Sequence, residues 1–157
     1  MNRSMLTGGL VCVAPWISMP AGAAQKTSGD DPVLRWNAVA LQAVAEDHSG
    51  TFAAAPEQGG PTAASRALSI VYLAIYDAVH AIDGAHGPYI PVGVSPSVLA
   101  KASIEAAVAQ AARDTLAVLY PSQQEVFDRE LQKVLTGIPR HHGRAEGIEI
   151  GRTLAKA

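Results

Sequence analysis

Cysteine is almost missing. The 157 residues hold one, Cys12, inside the apolar stretch "MLTGGLVCVAPWI" (5–17). Once that stretch is removed, no thiol, disulfide framework or cysteine-based metal site remains. Charge is scarce too: 17% of residues are charged, with 12 basic and 14 acidic side chains and a formal net charge of −2. So even a balance implies no polyelectrolyte partner, and nucleic acid is set aside. Strand-like alternation is confined to "YIPVGV" (89–94), which Pro91 interrupts. H-E-x-x-H, the P-loop and G-x-G-x-x-G do not occur, and the sequence has no internal repeat. "GVSPS" (93–97) lacks the final glycine and the strand–turn–helix setting of a nucleophile elbow.

Hydrophobic residues make up 48% of the chain, with alanine the main contributor. That is enough for one core, as a single domain or as part of a larger one. The N-terminus reads as a targeting segment. Arg3 gives a positive start, 5–17 is too short to span a bilayer comfortably, and Pro20 precedes the A-x-A-type site "AGAA". Residues 1–24 are therefore expected to be a signal peptide, the alternative being an uncleaved anchor helix. Gly9, Leu10 and Val11 before Cys12 do not fit a lipoprotein signal. The protein is expected to be exported, to a bacterial periplasm or beyond, with no membrane attachment after processing. Residues 25–31, "QKTSGDD", read as a flexible linker.

Residues 32–157 read as an all-α bundle of about five helices. Asp31-Pro32 is an N-cap followed by proline at the first helical position, opening a helix to about Asp47. Its expected core face is Leu34, Ala38, Leu41 and Ala45, with Arg35, Gln42 and Glu46 a quarter-turn away. A Gly/Pro loop follows at 48–61. The second helix runs from Pro61 to about Ile82, with Gly84 past its end. Its stripe is Leu68, Val71, Tyr72, Ile75, Val79 and Ile82, and its apolar residues beyond that sector predict a nearly enclosed helix. After the loop at 83–97, a third helix is expected over Val98–Tyr120, with Ile104, Val108, Ala111, Thr115 and Val118 on one side. Its alanines permit close helix approach. Ser122 and Glu125 read as a capping box for a fourth helix, whose apolar face is Val126, Phe127, Leu131, Val134, Leu135 and Ile138. A fifth begins near Gly143 and runs on at Ala157. Gly143, Gly147 and Gly151 recur every fourth residue there, each costing about 1 kcal/mol relative to alanine. Such spacing makes sense where another backbone lies against that face, and the competing reading is a fraying end.

"YDAVHAID" (76–83) places Asp77, His80 and Asp83 at every third position, with His86 next. A spacing of three drifts by 60° per step, and Gly84 ends the helix before His86, so the run alone cannot form a four-ligand site. Asp77 and His80 remain neighbours at i, i+3. Two groups do not complete a metal shell, so the pair reads as structural, a polar seam bonded internally. His141-His142, flanked by Arg140 and Arg144, suggest an anion site at a helix start, but a solvated loop is the plainer reading. Glu46-Asp47-His48 reads as a frayed, exposed terminus, and Trp36 as a core anchor.

"ASRALSIVYLAIYDAVHAIDGAHGPYIP" (64–91) resembles a segment near the N-terminus of bacterial vanadium-dependent haloperoxidases, relatives of the type 2 phosphatidic acid phosphatases. "VLRWNAVALQAV" (33–44), "ASIEAAVAQAARDTLAVLYPSQQEVFDREL" (102–131) and "GIEIGRTLAKA" (147–157) are similar to neighbouring helices of that family. His80 stands where asparagine is commoner, a departure that alters local hydrogen bonding. The resemblance implies a mostly helical protein whose vanadate or phosphate site is built from three motifs: K-x-x-x-x-x-x-R-P, P-S-G-H and S-R-x-x-x-x-x-H. None is present: Lys101, Lys133 and Lys156 have no R-P partner, and "DHSG" (47–50) is not S-G-H. The resemblance therefore assigns no catalytic, cofactor-binding or metal residue here. Vanadate is expected only in the complete parent protein. The expected partner is the missing C-terminal catalytic part of the same fold, with a homo-oligomer left open. An acid phosphatase scaffold and a self-standing binding module remain the alternatives.

Overall fold

The computed structural model describes residues 31–91 and 93–157; the leader reading for 1–24, and the linker up to residue 30, lie outside them. Among the described residues six α-helices follow one another: α1 (Pro32–Ser49), α2 (Pro61–Asp83), α3 (Pro96–Leu99), α4 (Ile104–Leu119), α5 (Gln124–Gly137) and α6 (Arg144–Lys156). A 3₁₀ turn at Pro121–Gln123 leads into α5, and no strand occurs among the described residues. The expected all-α class holds.

The central element is α4. Ala106, Ala107, Val108, Ala109, Ala111, Ala112 and Leu116 are all fully buried, and α1, α2, α5 and α6 pack around it. Alanine gives this helix a thin surface, so four neighbours approach it closely. The expected third helix does not run unbroken from Val98 to Tyr120. Chain 100–103 separates α3 from α4, because Ser103 caps α4 by accepting the Ala106 N–H at 3.2 Å. Ser103 also donates its own N–H to the Gly143 carbonyl at 2.9 Å, tying the break to the start of α6. Val118, expected on one side with Val108, Ala111 and Thr115, is exposed where those three are buried.

The α6 glycines face α4. A Cβ at Gly147 would lie 2.9 Å from the Ala106 Cβ, and one at Gly151 would lie 2.5 Å from the Ala107 carbonyl oxygen. The close-approach reading of the four-residue spacing is therefore correct for all three glycines, a Cβ at Gly143 running into the Lys101 carbonyl just before α4. Gly143 takes φ +68° at the helix entry, where a left-handed backbone favours glycine.

Two expectations fail on α1 and α5. The buried face of α1 is Trp36, Ala40, Ala43 and Asp47, while Leu34, Ala38, Leu41 and Ala45 point outward. Burying Trp36 removes more apolar area than burying a leucine, and the alanines below it let α1 lie close on the bundle. The capping box also fails. Ser122 sits in the 3₁₀ turn and donates through N–H and Oγ to the Glu57 carboxylate, at 3.0 and 2.9 Å, and α5 begins only at Gln124. The α5 apolar face is as expected, with Phe127, Leu131, Val134 and Ile138 buried. On α2, Val71 and Ile75 are buried, but Tyr72, Leu73 and Tyr76 are exposed, so that helix is open on one side.

Candidate functional site

Five polar or charged side chains are buried among the described residues: Asp47, Asp77, Gln110, Thr115 and Gln123. Asp77 is 2% exposed on α2. Its carboxylate accepts the N–H of Tyr89 and that of Ile90, the latter at 3.0 Å. Asp47 does the same at the end of α1, accepting from Glu57 at 2.7 Å and Gln58 at 3.0 Å. Each carboxylate thus grips two successive backbone donors of the loop after its own helix. Such charge-assisted bonds to amides that water cannot easily reach fix a loop firmly. Asp47 is no frayed terminus, although Glu46 and His48 beside it are more open.

The other three are engaged in the same way. Gln110 donates to Asp114 at 2.9 Å, Thr115 to the Ala111 carbonyl at 2.8 Å, and Gln123 to the Ala43 carbonyl at 2.9 Å. Half-buried Arg113 donates to Asp128 and Asp114, joining α4 to α5. Burial alone would lower its pKa, but the hydrogen bonds to the two carboxylates outweigh that and raise it.

Asp77 and His80 do not meet as a pair. The His80 Nδ1 lies 3.1 Å from the Asp83 carboxylate, and its ring packs between those of Tyr76 and His86. The Ala85 N–H holds the Asp83 carboxyl below its usual value, against an opposing effect of desolvation and with the hydrogen bond to His80 adding to it. No group of three or more His, Cys, Asp or Glu side chains among the described residues is arranged to hold a metal ion.

The cationic turn before α6 is open. Lys101, Arg140, His141, His142, Gly143 and Glu146 line a shallow depression, and the two imidazoles pack edge to face at 4.3 Å. Arg144 turns away from it, donating to the Leu135 carbonyl at 2.8 Å and so capping the end of α5. With Arg144 engaged and Glu146 on the rim, this set does not fit an oxyanion such as vanadate. No step through that group follows from these residues.

Trp36 Nε1 and Tyr120 OH are buried without a hydrogen-bond partner among the described residues. Burial, then the negative charges of Asp47 and Glu57, push the Tyr120 phenol up to about 12.

The geometry defines a helical packing unit whose buried polar groups brace its own loops. A family model described as the vanadium chloroperoxidase N-terminal domain matches residues 23–146, and the chain belongs to that family. No curated protein matches the chain, and no solved structure does. No described helix is long and apolar enough to cross a membrane. Sequence reasoning found Asp77 and Trp36 but missed the Asp47 clamp. The alternation of acid, loop and Gly/Pro breaks was its one available signal.

Proposed function

We propose that this chain is the N-terminal scaffold of an exported vanadium-dependent haloperoxidase-like protein and contributes packing rather than oxyanion ligands. One observation carries the reading: Asp47, Asp77, Gln110, Thr115 and Gln123, the buried polar and charged side chains apart from the Trp36 indole and the Tyr120 phenol, are all committed to the chain's own backbone or to a neighbour. Groups spent in this way have no free donor or acceptor to offer a reacting oxyanion. The family match over 23–146 and the absence of the three anion-site motifs from the sequence support it. In this reading the whole protein oxidises halide with peroxide on vanadate, which supplies Lewis-acid activation of the peroxide when bound. No residue here is assigned a catalytic, cofactor or metal role. The partner is the C-terminal catalytic part of the same fold.

The test has two arms. The coding sequence beyond Ala157 is expected to continue in frame to a P-S-G-H motif; a stop codon there favours a self-standing exported module. The purified chain supplied with vanadate, bromide and peroxide is expected to show no bromide oxidation above a blank. Clear turnover would contradict the reading.

A further inference from the structure

We infer that Tyr89 is a modification site of this chain, the position at which hypohalous acid places a halogen on ring carbon. That reagent is the two-electron product of halide oxidation by peroxide, so its supply rests on the reading given above. Hypohalous acid draws electrons first from sulfur and from indole. Residues 25–157 hold neither methionine nor cysteine: Met1, Met5, Met19 and Cys12 all fall within 1–24, as does Trp16. The remaining indole, Trp36, is fully buried. Phenols come next among the groups that form lasting carbon–halogen bonds, because the hydroxyl oxygen feeds electron density to the ring carbons beside it. Phe52 is exposed but carries no such oxygen. Amines and imidazoles take halogen on nitrogen, and a mild reductant strips it off again.

The four tyrosines are not equal in access. Tyr120 is fully buried. Tyr72 and Tyr76 are 37% and 39% exposed, and each hydroxyl is seated against a partner. Tyr72 donates to the Asn37 side-chain oxygen at 2.8 Å, and Tyr76 donates to the Gly87 carbonyl at 3.3 Å. The Tyr76 ring also packs on that of His80, with centroids 4.3 Å apart. Attack occurs ortho to the hydroxyl, so a partner on the oxygen also crowds those carbons. Tyr89 is 69% exposed, the most open of the four. Its main chain is nonetheless fixed, because the Asp77 carboxylate accepts its N–H and that of Ile90. The ring therefore meets a dissolved reagent without any opening of the loop.

The step balances with no further reactant. A pair of ring electrons forms the bond from an ortho carbon to the halogen as the halogen–oxygen bond breaks. The hydroxide that leaves takes the proton from the same carbon and departs as water. The ring is the reductant and hypohalous acid the oxidant. The fold tolerates the product at this position alone. A halogen on Trp36 or Tyr120 would overpack the core, whereas at Tyr89 the added atom stands in solvent. The Asp77 clamp survives as well, because it holds backbone N–H groups and not the ring.

Treating the full chain, expressed with export, with one equivalent of hypobromous acid tests it. After a sulfite quench, which clears bromine from nitrogen, peptide mapping by mass spectrometry is expected to place most of the paired-isotope bromine signature on Tyr89. Tyr89→Phe is expected to lose most of that label while melting as the native chain does, since the ring stands mostly in solvent. Tryptic peptides treated in the same way are expected to spread the label over all four tyrosines and to show an oxidised Trp36, so that the fold is seen to make the choice. Label shared evenly among Tyr72, Tyr76 and Tyr89 in the folded chain overturns the inference. So does oxidation of Trp36 ahead of Tyr89, or a label that persists in Tyr89→Phe. Because the reagent is supplied, failure here is separate from failure of the haloperoxidase reading, which the coding sequence and the vanadate measurements decide.

Discussion

Asp77 and Asp47 act at the scale of single atoms: each carboxylate offers two oxygens to two consecutive amides. Asp77→Ala strands both donors in a nearly closed site and is expected to cost about 2–4 kcal/mol in urea unfolding. Hydrogen exchange at the Tyr89 and Ile90 amides should quicken more than at α4, because the loop opens first. Tyr120 provides a pH signature. Its phenol is held neutral up to about 12, against 10.0 for the free group, so the folded state excludes the ionised form. The stability it contributes is complete below pH 10 and lost as pH rises toward 12, a fall of up to about 3 kcal/mol. Tyr120→Phe is expected to leave neutral-pH stability nearly unchanged, because the hydroxyl has no partner among the described residues, and to flatten the alkaline fall. An unchanged alkaline slope in that variant would refute the assignment. The sequence revealed the acids but not their partners. Backbone amides leave no mark in a sequence, so Asp77 was legible as an internally bonded group while Asp47 passed for a loose end.

At the scale of helices, the meeting of α4 and α6 depends on missing side chains. Propensity alone favours Gly151→Ala by about 1 kcal/mol. The added methyl would press on the Ala107 carbonyl and the Gln110 Cβ, at 2.5 and 2.8 Å, where backbone cannot yield. The net expectation is a loss of about 1–3 kcal/mol, measured by thermal or urea unfolding. A stabilised variant would show that the two helices do not lie this close. This contact was legible because glycine every fourth residue has few other uses in a helix. The α1 face was not. Leu34/Ala38/Leu41/Ala45 and Trp36/Ala40/Ala43/Asp47 share the same spacing, two residues apart, and periodicity cannot choose between them. The size of the Trp36 ring decided it. Ser122 misled for a related reason: a capping residue bonds whichever partner arrives, and here that is Glu57 from a distant loop.

At the scale of the molecule, an alanine-rich central helix, two acid-clamped loops and a glycine-faced last helix make one core. Helical class and family membership were both legible before any coordinates, since apolar periodicity and the "YDAVHAID" scaffold motif are local features of the sequence. Which face stays open was not, because that depends on how the whole bundle closes. The central claim is that these helices support an oxyanion site without supplying its ligands. Titrating the purified chain with orthovanadate, followed by vanadium-51 NMR, tests this most directly. The account predicts a resonance that keeps the position and width of free vanadate at every protein concentration. A saturable, broadened bound signal that disappears on adding phosphate would contradict it.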